Sequence, residues 1–143
     1  MLFRSVQAWA ALESMAVRLL TKSATDVEIA RLRDLMRDFG EDRRPADHLS
    51  DYSAANLEFH QTIIRLSKSA VLADMTDNLL LHVRGIRALT IGRHDRAKRS
   101  IEDHIAIIEA IEKRDTERAE RLSREHTLGL AAYVEAHGDE LFG

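Results

Sequence analysis

The sequence predicts an all-α fold, on three observations. Its composition is poor in turn residues, with one proline and six glycines in 143 residues, and rich in the strong helix formers Ala, Leu, Arg and Glu. Apolar residues recur at helical spacing in long runs. Helix-start signals fall in front of those runs. At 45% apolar and 31% charged, the chain is long enough for one domain with a sizeable core and too short for two comfortable ones, so residues 1–143 read as a single domain.

Taken in order, the first helix runs from Leu2 to Leu20 and buries Val6, Trp9, Leu12, Ala16 and Leu19. Thr25 followed by Glu28 has the form of a capping box for a second helix, which Ile29, Leu32, Leu35, Met36 and Phe39 carry to a stop at Gly40. The polar stretch Glu41–Asp47, holding Pro45, is the clearest break. A third helix spans about His48 to Leu66 and ends at Ser67-Lys68-Ser69. The fourth is long, Val71 to Ile91, with Leu72, Met75, Leu79, Val83, Ile86 and Leu89 toward the core and Gly92 as terminator. Residues 93–99 form the densest basic stretch, and without interleaved aromatics they read as a solvated connector rather than a nucleic-acid contact. A fifth helix covers about Ser100 to Lys113. Asp115 caps a sixth that reaches about His137.

With 21 basic against 24 acidic residues the net charge is −3, which gives no electrostatic reason to seek nucleic acid or anionic lipid. Cysteine is absent, which excludes disulfides and thiolate metal sites and suits a reducing compartment. Arg4, Glu13 and Arg18 interrupt the apolar start, so no signal peptide or membrane span is expected there. These features give the expectation of a soluble, cytoplasmic protein without membrane partners.

Four polar residues stand inside apolar helical stripes. Asn56 and His60, four apart on the third helix, share a face with Tyr52, Phe59, Ile63 and Ile64. His104 sits among Ile101, Ile105, Ile108 and Ile111, and His126 between Leu122 and Leu130. A single histidine on such a face is ordinarily a core residue satisfied by one hydrogen bond. Three on three helices also fit a shared cation, which would occupy one nitrogen of each ring and leave the other to donate to an acceptor behind it. The residues by themselves leave both readings open.

The run Asn56-x-x-Phe59-His60, then His104-x-x-Ile107-Ile108-x-Ala110-Ile111-x-x-x-Asp115-x-x-x-Ala119, then His126, resembles the FCD family, the C-terminal effector domain of one branch of GntR-type regulators. Leu12-Glu13-x-x-Ala16 and Leu72 are similar as well, so the resemblance extends from about Trp9 to Ala132. It implies an antiparallel bundle of six or seven helices with a central cavity for a metal and a small organic acid. It also implies Asn56, His60, His104 and His126 as ligands, a homodimer, and contact with DNA only through a winged helix-turn-helix module that this chain lacks. Two features depart from the family: Trp9 stands where an arginine is common on the first helix, and Ser67-Lys68-Ser69 lacks the frequent Gly-Asn.

Three neutral imidazoles and an amide oxygen suit a borderline divalent ion such as Zn, Ni, Mn or Fe. With no carboxylate among those ligands, an anionic effector should be favoured in any open coordination position. Arg84 and Arg87 on the fourth helix, with His82 on the pocket wall, are the candidates to hold its carboxylate. Two other readings compete with a sensor. A metal-dependent enzyme is disfavoured because there is no His-Glu-x-x-His pair, no Glu-x-x-His pair and no evident general base. A helical dimerisation module with core histidines and no ligand is the other.

Overall fold

Seven α-helices and no strand make up the described residues, which in this computed structural model are 2–39, 49–93 and 95–142. In chain order they are α1 (Leu2–Ser23), α2 (Asp26–Met36), α3 (Leu49–Leu66), α4 (Ala70–Thr90), α5 (Arg96–Glu112), α6 (Thr116–Ala136) and the short α7 (Gly138–Phe142), with a 3-10 turn, Arg37–Phe39, extending α2. The expected stop at Gly40, the break at 41–47 and a third-helix start at His48 lie outside the described residues.

The starts of α2, α4 and α6 are fixed by side-chain caps. Thr25 caps α2 with the full reciprocal box: its hydroxyl accepts from the Glu28 N–H at 3.2 Å, and the Glu28 carboxylate accepts from the Thr25 N–H at 3.0 Å. Ser69 caps α4 through the Leu72 N–H, and Asp115 caps α6 through the Arg118 N–H. The two sharp turns are made by non-glycine residues in the left-handed region, Lys68 at φ 58° and Arg114 at φ 56°. Lys68 therefore occupies the kind of position that Gly-Asn would fill without strain. Arg114 offsets its turn by donating to the Thr21 and Ala24 carbonyls and to Asp26, which ties the α5–α6 turn to the end of α1.

α1 is the central element: it lies along α6 over most of its length and also packs on α4 and α3. Its buried side holds Val6, Trp9, Ala16, Val17 and Leu20, which together with Phe59, Ile63, Val83, Ile107, Ile108 and Ile111 form the core. Two expectations need correction. α5 begins at Arg96, so residues 96–99 of the basic stretch are helix rather than connector. Met75 and Leu89 are exposed rather than buried, because α4 turns Leu72, Thr76, Val83, Ile86 and Thr90 inward and leaves an apolar stripe outside. α6 ends where expected, at His137, whose N–H closes on the Tyr133 carbonyl, and α7 is the seventh helix of the expected six or seven.

Because both halves of the α2 box are formed, Thr25→Ala should cost about 1 kcal/mol of unfolding free energy, measured by denaturant titration, with helix content in the folded baseline unchanged.

Candidate metal centre

α3, α5 and α6 each direct one histidine to a common point. His60 and His104 are fully buried and His126 is mostly covered. Each offers a ring nitrogen within 4.8 Å of the others. Ring centroids are separated by 5.1 Å for His60–His104, 4.8 Å for His104–His126 and 6.1 Å for His60–His126. Among the described residues this is the one cluster of His, Asp and Glu compact enough to hold a metal ion. Asn56, one turn before His60 on α3, is also buried.

The hydrogen bonds around the cluster divide its nitrogens into two kinds. His60 Nδ1 lies 2.6 Å from Glu13 Oε2, and His126 Nδ1 lies 2.7 Å from Asp103 Oδ2. An Nδ1–H donating to a carboxylate leaves the Nε2 lone pair of that ring free. The inward atoms have no partner at all: His60 Nε2, both nitrogens of His104 and Asn56 Oδ1 are buried and without hydrogen bonds. His104 is further held by Phe59, whose ring stacks on the imidazole at 4.1 Å between centroids. Each unsatisfied buried group costs on the order of 1–3 kcal/mol. A divalent cation bound by Asn56, His60, His104 and His126 would relieve several of these at once, so the residues fit the ion expected from the sequence.

Glu13 is the functional residue that sequence reasoning passed over. It is 1% exposed on α1, and its Oε2 accepts from Trp9 Nε1 at 2.8 Å as well as from His60. Burial pushes its carboxyl above the usual range, while the Arg87 guanidinium, His126 and the Trp9 N–H pull it back. The available signal was a lone acid within an apolar helical face at Leu12-Glu13-x-x-Ala16. Asp103 likewise adjoins His104 in sequence but serves His126 across the helix interface. With these two carboxylates behind the rings, the positive charge of an ion is partly offset from outside its ligand shell, which the ligand residues alone do not suggest.

Of the anticipated effector residues, Arg87 is the one placed closest to the cluster. Its guanidinium lies over the Trp9 ring at 5.7 Å from the centroid, and its Nη2 is buried without a partner. Burial lowers its pKa and the neighbouring Glu13 carboxylate raises it. Trp9 thus does not merely displace a first-helix arginine; it supports an arginine arriving from α4. Arg87 and Asn56 form the floor of a cleft of about 640 Å³ between α3 and α4, and both also wall a water-sized inner pocket that reaches His126. Arg84 is exposed and lines the outer cleft. His82 is exposed on α4 and lines neither space.

An FCD domain family model matches residues 5–129, so the chain belongs to the FCD family, the effector-binding domain of GntR-type regulators. It is a ligand-sensing regulatory domain by family, and no curated protein matches it. No helix among the described residues is long and apolar enough to cross a membrane.

Burial holds His60 and His104 well below the usual imidazole pKa in the folded chain, with Arg87 and the neighbouring rings adding to the effect. A base lowered in this way is neutral when folded and takes up a proton when unfolded, so it contributes stability above pH ~6.5 that is lost as pH falls below it. The metal-free protein should accordingly lose Tm between pH 7 and pH 5.5. A flat Tm across that range, read by circular dichroism, would show that these rings are not held neutral. Replacing the acceptor behind His60, Glu13→Gln should weaken divalent-metal affinity by about 10- to 100-fold while the far-ultraviolet spectrum stays unchanged; competition against a chromophoric chelator measures it.

Proposed function

We propose that this domain senses a small organic acid through a divalent metal held by Asn56, His60, His104 and His126, and transmits its occupancy to DNA through a separate winged-helix module. The observation that carries this reading is His104: a fully buried ring, clamped by Phe59, with both nitrogens unpartnered where three imidazoles meet. An apolar core does not ordinarily keep such a group without a partner to bind it. The metal would supply a fixed positive charge with open positions, and Zn, Ni, Mn and Fe all suit the donors.

Recognition of the acid falls to Arg87, with Arg84 at the cleft mouth. A buried guanidinium with a free Nη2 offers a carboxylate a charge-assisted bond in a poorly hydrated space. Trp9 holds the guanidinium from beneath and Glu13 balances it, so the cation is positioned before any ligand arrives. The same contacts favour a sensor over an enzyme. Both nearby carboxylates, Glu13 and Asp103, are engaged by imidazole Nδ1 atoms and are not free to act as a general base. The expected setting is a cytoplasmic homodimer.

Metal analysis of the purified protein, followed by calorimetric titration of the zinc-loaded chain with acetate, succinate and citrate, tests this. At least one acid should bind, binding should vanish after chelation, and Arg87→Met should weaken it by about 10-fold or more. His104→Ala should abolish metal uptake. A chain that takes up no divalent metal would overturn the proposal.

A further inference from the structure

Two arginines from different helices wall the inner pocket that reaches Asn56 and His126: Arg87 from α4 and Arg96 from α5. They are held alike. Arg87 lies over the Trp9 ring, and the Arg96 guanidinium lies over Tyr133 at 4.9 Å from the centroid, with the imidazole of His137 stacked on that ring at 4.2 Å. Arg96 is half-buried, and among the described residues no hydrogen bond or ion pair engages its guanidinium. It also opens α5 at the positive end of the helix dipole, where Lys98 and Arg99 follow, the first turn holds no acid, and the Asp95 side chain makes no capping bond. Burial and Arg99 disfavour its charge, and Tyr133 and Asp103 restore it only in part. A cation so placed gains most from an anion that arrives from outside the chain.

The other polar groups of the pocket leave that anion to the arginines. The Ser100 hydroxyl is bonded to Tyr52, and the Thr90 hydroxyl donates to the Ile86 and Arg87 carbonyls, whereas Arg87 Nη2 is buried with no partner. With about 20 Å³ the inner pocket admits one water or one carboxylate oxygen, so the body of a ligand lies in the larger cleft, which shares Asn56, Arg87 and Ile91 with it. Three arginines, 65, 84 and 87, and a single acid, Glu58, line that cleft. Arg84 and Arg87 are three residues apart on α4, which sets their Cβ atoms about 5–6 Å from each other.

We propose that the acid is a short dicarboxylate of four or five carbons, with one carboxylate gripped between Arg87 and Arg96 and the other held by Arg84 one helical turn out. This rests on the sensor reading above and narrows its ligand from acids in general to dianions. It also makes Arg96, at the end of the basic stretch, a specificity residue rather than part of a solvated connector. A chain of four or five carbons separates its two carboxylates by about the one-turn spacing of Arg84 and Arg87. Charge agrees with length. Glu13 stands beside Arg87 and Asp103 beside Arg96, so the two inner guanidiniums are offset by the chain itself. The charge of a divalent ion and of the outer arginines is left for the ligand, and a monocarboxylate would neutralise only half of the ion.

Calorimetric titration of the zinc-loaded chain with succinate, glutarate and the monoacid butyrate tests this. Succinate or glutarate should bind about five-fold or more tightly than butyrate, and Arg84→Met should bring that ratio down toward one. Arg96→Met should weaken succinate and butyrate alike, by about 10-fold, and Arg96→Lys should recover part of the loss, with the far-ultraviolet spectrum of each variant compared with wild type. Butyrate binding as tightly as both dicarboxylates, a preference that survives Arg84→Met, or wild-type acid affinities in Arg96→Met would each overturn the proposal. Zinc uptake by the wild-type chain is read separately, by competition against a chromophoric chelator. A chain that takes up zinc and shows no preference for dicarboxylates overturns this inference alone, whereas one that takes up no zinc overturns the sensor reading with it.

Discussion

The site depends on one buried carboxylate. Glu13 is enclosed in the bundle, accepts from Trp9 on its own helix and from His60 on α3, and faces the Arg87 guanidinium from α4. An acid in that position would be expelled or neutralised if it stood alone, because desolvation penalises its charge. Two donors and a nearby cation hold it, and in return it fixes three things: the proton on His60 Nδ1, the orientation of the ring, and the location of a guanidinium that would otherwise seek water. Helices α1, α3 and α4 are thereby joined by a polar chain running through the middle of an apolar core.

The second constraint is the absence of partners at the centre. His60 Nε2, both His104 nitrogens and Asn56 Oδ1 point into a region where nothing answers them. Native cores rarely tolerate several such groups together, and here they are adjacent, rigid and backed by acceptors. The preorganisation is carried by ordinary packing: Phe59 stacks on His104, and Tyr52 bonds Ser100 at 2.6 Å across α3 and α5. The proposed ligand would therefore meet a site already shaped, and the cleft between α3 and α4 would give it a route in.

α4 is the element through which occupancy could be felt elsewhere. Its inner face contributes Val83 and Ile86 to the core, its flank sends Arg84 and Arg87 to the cleft, and its outer face leaves Val71, Met75, Leu81 and Leu89 exposed.

The sequence by itself determined the helices, their caps and the four inward polar residues, since helical period, capping chemistry and the oddity of a histidine in an apolar stripe are local properties. It misplaced Met75 and Leu89, because an apolar residue at helical spacing looks the same whether it faces the core or a second surface. It did not single out Glu13, because an acid among apolar neighbours has no meaning until the helix carrying His60 is laid against it. Nor did it decide between Arg84, Arg87 and His82, three neighbours on one helix whose directions differ by about 100° per residue. Only the tertiary structure set Arg87 over Trp9 and left His82 outside, since those outcomes depend on how α4 is rotated against α1, and no local pattern encodes that angle.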